Sequence, residues 1–142
     1  MLNPAQTLAT YNNPLLALFL LIAPLITSSP GTPRKPRCWE FWGRSLLGLG
    51  LAVALAEGGK HFQVWPGHPS FPSGHETFGL CAATSLALRN VRWLILVLPL
   101  TVLLAWALVD AHFHQPIDVA GALLVGPPCA VLFQRLRKPR LI

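Results

Sequence analysis

Charge is scarce in this chain: Asp, Glu, Lys and Arg together make up 11% of its 142 residues, less than half the share usual in a soluble globular domain. Hydrophobic residues reach 53% and mean hydropathy is +0.51. That balance excludes an ordinary soluble fold and a solvated disordered segment. Cysteine is short as well. Cys38, Cys81 and Cys129 are odd in number, lack metal-ligand spacing, and two of them fall in apolar runs. They are read as packing residues, which excludes a disulfide framework. No basic residue precedes Pro14 and no small-residue cleavage pattern precedes the first basic stretch. A cleaved signal peptide is therefore not expected, and the first apolar run is expected to remain a helix. Internal repeats and low-complexity tracts are absent too.

The basic surplus, a net charge of +6, would suggest nucleic acid if it were interleaved with a polar fold. Instead it is clustered between apolar runs: Arg34, Lys35, Arg37 and Arg44, then Arg89 and Arg92, then Arg135, Arg137, Lys138 and Arg140. The positive-inside rule produces this pattern, so the expected partner is the lipid bilayer and not a nucleic acid. Five apolar segments, 14–27, 45–57, 74–88, 93–109 and 116–133, predict an all-α fold, a polytopic membrane bundle of about five helices forming one domain over residues 1–142. Several are shorter than the ~20 residues that span a bilayer unaided, and semi-polar flanks extend them. Pro24 predicts a kink in the first helix. Tyr11 and Asn12 read as its N-terminal cap, residues 28–37 as a polar connection, and Trp39, Trp42, Trp65 and Trp93 as an interfacial aromatic belt.

Five alternating spans place all three basic clusters and the C-terminus on the cytoplasmic side. Residues 61–75 and 110–118, which hold all five histidines, fall together on the other side. Two short motifs there carry chemistry. Pro72-Ser73-Gly74-His75 opens the third helix, with Ser73 as N-cap and Glu76 completing a Ser-x-x-Glu capping box. Gly74 in the first turn uncovers backbone N–H groups at the positive end of the helix dipole, a site for an anion, with His75 beside it. In the second motif, His114-Gln115-Pro116-Ile117-Asp118, Pro116 suits a first helical turn. Asp118, one turn on, would accept from one ring nitrogen of His114 and leave the other as a nucleophile. As purely structural features, Ser73 and Glu76 would only cap a helix, and Asp118 would only complement its dipole.

The order Lys60, then Pro72-Ser73-Gly74-His75, then His114-x-x-x-Asp118 followed by Val119-Ala120-Gly121, resembles the type 2 phosphatidic acid phosphatase superfamily. These are membrane lipid phosphate phosphatases related to vanadium haloperoxidases, and the resemblance covers about residues 45–135. It implies a metal-independent phosphatase without cofactor, acting on a membrane lipid phosphate or diphosphate. His114 would attack phosphorus, Asp118 would orient it, and His75 would protonate the leaving oxygen. Ser73, the Gly74 amide and Lys60 would hold phosphate oxygens. Two phosphate-clamping arginines of the family pattern are absent: Gly67 stands at one position, and Ala107 and Leu108 at the other. His68, His61 and His112 are the available substitutes. Two other readings follow from the same residues: a non-catalytic relative that binds lipid phosphate or a protein partner, and a metal site built from the histidines with Asp110 and Asp118.

Overall fold

The computed structural model describes residues 3–27 and 38–135. Among them the chain is all-helical, with α1 (Pro4–Ile26), α2 (Cys38–His61), α3 (Gly74–Arg89), α4 (Leu94–Asp110) and α5 (Pro116–Arg135); a 3-10 turn at Val91–Trp93 leads into α4. About five helices were expected, and the described residues form five. The residue 28–37 connection with Arg34, Lys35 and Arg37, and the tail with Arg137, Lys138 and Arg140, lie outside the described residues.

Two helices begin earlier than the apolar pattern implied. α1 starts at Pro4, where Asn3 forms the cap: its side chain accepts from Ala5 N–H, and its own N–H donates to the Gln6 side chain. Tyr11 and Asn12 are therefore mid-helix, not a cap. Asn12 is only 3% exposed because its Nδ2 donates to the Leu100 carbonyl of α4 at 2.6 Å, an interhelical bond that makes a buried amide tolerable. α2 starts at Cys38, so Arg44 belongs to a helix and not to the connection; it donates to the Gln134 carbonyl of α5 at 3.4 Å. α1 runs as one helix through Pro14 and Pro24. Proline at 24 withdraws the N–H that would serve the Leu20 carbonyl, and the Trp42 indole of α2 donates to that carbonyl instead, at 3.2 Å.

The stretches Pro4–Ile26, Val91–Asp110 and Pro116–Arg135 are long and apolar enough to cross a membrane. Their outward faces are as apolar as their inward ones: Leu21 and Leu25 on α1, Ile95 and Val102 on α4, and Leu124 on α5 are all exposed. Helices hydrophobic all round belong in lipid or in a deep core. α3 packs against each of the other four helices. Small residues permit this, and at Gly126 of α5 an added Cβ would come 2.7 Å from the Thr77 carbonyl of α3. Trp93 departs from the aromatic-belt reading. It is 8% exposed and packs on Phe19 at 5.6 Å, because the 3-10 turn folds it back under α1.

The alternation of the helices separates two ends of the bundle. Arg44 with Gln134, and Arg89 with Thr27 at 3.4 Å, mark one end. The C-termini of α2 and α4 meet the N-termini of α3 and α5 at the other, which is where the histidines lie.

Candidate functional site

The two motifs are joined through the backbone. Ser73 N–H donates to the Asp118 carbonyl at 2.8 Å, tying the first turn of α3 to the first turn of α5. This bond also corrects the expected capping box. Ser73 Oγ does accept from Glu76 N–H, at 3.4 Å, but the Ser73 N–H that Glu76 would have bound is already engaged by Asp118. Phe71 adds a packing clamp, its ring lying so close to Gly121 of α5 that a Cβ there would overlap it.

Asp118 is 3% exposed. Its Oδ2 accepts from Gln115 N–H at 3.0 Å, and the Gln115 carbonyl accepts from Asp118 N–H, also at 3.0 Å, a local loop that sets the start of α5. Two imidazoles flank the carboxylate: His68 Nδ1 is 3.6 Å from Oδ1 and His114 Nδ1 is 3.8 Å from Oδ2. These are ion-pair separations, longer than hydrogen bonds. Catalytic contacts in ligand-free sites are often long and tighten with substrate. His114 Nδ1, His68 Nδ1 and Asp118 Oδ1 are all buried with no hydrogen-bond partner among the described residues. The three orphaned atoms thus converge on one carboxylate.

Lys60 and His75 complete the surroundings. Lys60 Nζ lies over the first turn of α3, 3.2 Å from where a Cβ on Gly74 would be, so any larger residue there would push the ammonium back by a few tenths of an ångström. It is bound to Glu57 Oε1 at 2.6 Å. His75 is exposed, and its carbonyl accepts from Asn13 Nδ2 of α1 at 3.1 Å. Burial pushes the His114 imidazole below its ordinary value; the Asp118 charge pulls it back up, while Lys60 and His75 push it further down. Neutral His114 is the form that can act as a nucleophile.

A cavity of about 420 Å³ opens beside this group, lined by His68, His112, His114, Gln115 and Asp118 among others. That volume is in the range of small-molecule sites. Lys60, Ser73, Gly74 and His75 are not among its lining residues; the charges of Lys60 and His75 reach His114 from the α2 and α3 side. His112 has φ 59° and its ring nitrogen faces the Val109 carbonyl at 3.3 Å. His61 stacks edge-on against Phe62. Among the described residues no three His, Cys, Asp or Glu side chains are grouped to hold a metal ion. At the positions of the missing arginines, Gly67 has φ 82°, and Ala107 and Leu108 are 0% and 1% exposed in the core.

The sequence reading missed three participants. Glu57 occupies Lys60, and its i, i+3 spacing on one helix was a usable signal. Asn13 reaches the site from α1, and Phe71 seats on Gly121; neither contact leaves a local pattern. Comparison with known protein families, characterised proteins and solved structures gave no match, so the functional reading rests on this geometry and its chemistry.

Proposed function

We propose that this chain is an integral membrane phosphatase that hydrolyses a lipid phosphate or diphosphate through a phosphohistidine. The observation that carries the reading is the backbone bond from Ser73 to Asp118 at 2.8 Å. It joins the helix N-terminus opened by Gly74 to the turn that carries Asp118, a buried carboxylate 3.8 Å from a histidine whose neutral form is favoured by burial.

In this reading His114 presents Nδ1 to Asp118 and uses its other ring nitrogen to attack phosphorus. The N–P bond forms as the ester P–O bond breaks, and His75 gives the leaving oxygen its proton. Lys60 and the first-turn amides of α3 hold the phosphoryl oxygens. Asp118 stabilises the ring while it is cationic. Water then attacks the phosphohistidine and gives a proton back to His75 as the N–P bond breaks, restoring the neutral His114 ring and the starting state of His75. His68 stands next to Gly67, one of the positions where the family pattern carries arginine, and when protonated it supplies part of the missing charge. By the positive-inside rule the Arg44, Arg89 and Arg135 end faces the cytoplasm and the histidine end faces away from it.

Binding of lipid phosphate without turnover is the second reading. It is favoured by Ala107 and Leu108, which put apolar core where the family pattern has a cation. The test is orthophosphate release from a panel of lipid phosphates in detergent with chelator present, with His114→Ala run in parallel. The phosphatase predicts release that disappears in the variant. Release unchanged by the variant refutes the phosphohistidine, and headgroup binding with no release across the panel establishes the second reading.

A further inference from the structure

A second cavity, of about 430 Å³, runs between α4 and α5 with α3 as its floor. Its walls are Leu80 of α3, Leu98 and Val102 of α4, and Leu123 of α5. Leu98, Val102 and Leu123 are more than half exposed on the outward faces of their helices, so the groove opens sideways, towards where lipid would lie. Only two of its lining residues are polar, Glu76 and Thr101.

Glu76 is anomalous there. It is 3% exposed, and its Oε2 is buried with no hydrogen-bond partner among the described residues. None of the ion pairs among those residues includes it. Its capping role is closed, because Ser73 N–H is engaged by Asp118. In an apolar groove a carboxyl either keeps its proton or meets a cation or a donor brought from outside the protein. Thr101 gives its own hydroxyl proton to the Leu98 carbonyl at 3.0 Å, which leaves its oxygen as an acceptor. With Glu76 ionised, the polar inventory of the groove is all acceptor, complementary to a protonated amine.

The groove adjoins the polar cavity: Val109 and Pro116 line both. We infer that the α4/α5 groove is a subsite for a single-chain amphiphile bearing a protonated amine, with Glu76 as its counter-ion and the hydrocarbon chain along Leu98, Val102 and Leu123. That the amphiphile's other end is a phosphate at His114 rests on the function proposed above. Recognition of the amine does not.

The test uses the full chain in phosphatidylcholine nanodiscs and a spin-labelled long-chain amine, with the matched alcohol as its neutral counterpart. A charge-assisted bond is stronger than a neutral one by enough to give a preference for the amine of at least about tenfold. His114→Ala keeps that preference. Glu76→Gln, which keeps shape and removes charge, brings it to within about twofold. Val102→Trp, at an exposed rim position, fills the groove and weakens both ligands while leaving the core intact. Equal binding of amine and alcohol by the parent chain overturns the inference, as does a preference that survives Glu76→Gln, or binding of both ligands that Val102→Trp leaves unweakened. No phosphate release by the parent chain, with its amine preference present, removes the phosphatase and leaves the subsite; release by the parent chain with no amine preference removes the subsite alone.

Discussion

Replacing Gly121 with alanine tests the clamp that holds the Pro-Ser-Gly-His segment on α5. The new Cβ would lie 2.6 Å from Phe71 Cζ and 3.0 Å from Cδ2, against the 3.5–4.0 Å at which carbon atoms pack. The ring must retreat by about 1 Å, and it is held from behind by Trp65 at 5.2 Å. Overpacking of this kind costs about 1–3 kcal/mol, while alanine in a helix interior returns about 1 kcal/mol relative to glycine. The expected result is a net loss of about 1 kcal/mol in the parent chain. In a Phe71→Ala background the clash is gone, and Gly121→Ala becomes stabilising by up to about 1 kcal/mol. The sign change, a coupling of about 1–3 kcal/mol, is read by a double-mutant cycle of unfolding in detergent. Gly50→Ala is the control, since nothing lies within 4 Å of the added atom, and it should stabilise in either background. Additivity of Gly121→Ala and Phe71→Ala within about 0.5 kcal/mol would refute the clamp.

Three further outcomes follow from the site. His114 has a folded value below the ordinary 6.5, with burial the main cause. Its contribution to stability is therefore fully present above that ordinary value and is lost as pH falls through the folded one. A histidine NMR titration should place its midpoint under 6.5, with Lys60→Met raising it and Asp118→Asn lowering it further; shifts in the opposite directions contradict the electrostatic assignment. Glu57→Gln frees Lys60 from its 2.6 Å pair and should tighten inorganic phosphate binding, measured by calorimetry, whereas Lys60→Met should weaken it. Ser73→Ala removes an N-cap acceptor and should cost about 1 kcal/mol in unfolding. Because the Ser73 N–H to Asp118 bond uses backbone, the variant should keep the α3–α5 junction, seen as unchanged hydrogen exchange at that amide.

Five helices were legible because apolar runs and the basic clusters between them obey one physical rule, the cost of burying charge in hydrocarbon. Helix boundaries were less so. In a linear reading Asn12 looks like a cap, Arg44 like part of a basic connection, and Asn13 carries no signal, yet each finds a carbonyl on a distant helix, Leu100, Gln134 and His75 respectively. Contacts between residues far apart in the chain leave no spacing to detect. The two site motifs stood out because proline, glycine and a capping serine act locally. Glu76 was misread for the same reason. Ser-x-x-Glu spells a capping box, and only the tertiary fold shows that Asp118 takes the Ser73 N–H while the carboxylate turns to a groove built from three helices.

The Trp42 indole on the Leu20 carbonyl has a consequence for biogenesis. Until α2 arrives, α1 carries at Leu20, six residues before its end, a carbonyl that Pro24 has deprived of its helical donor, and hydrocarbon offers no replacement. Trp42 is synthesised 18 residues after Pro24, counting along the chain. The first helix is thus completed by the second, and the two are expected to leave the insertion machinery as a hairpin, with Trp42→Phe stalling that step and leaving the later helices unaffected.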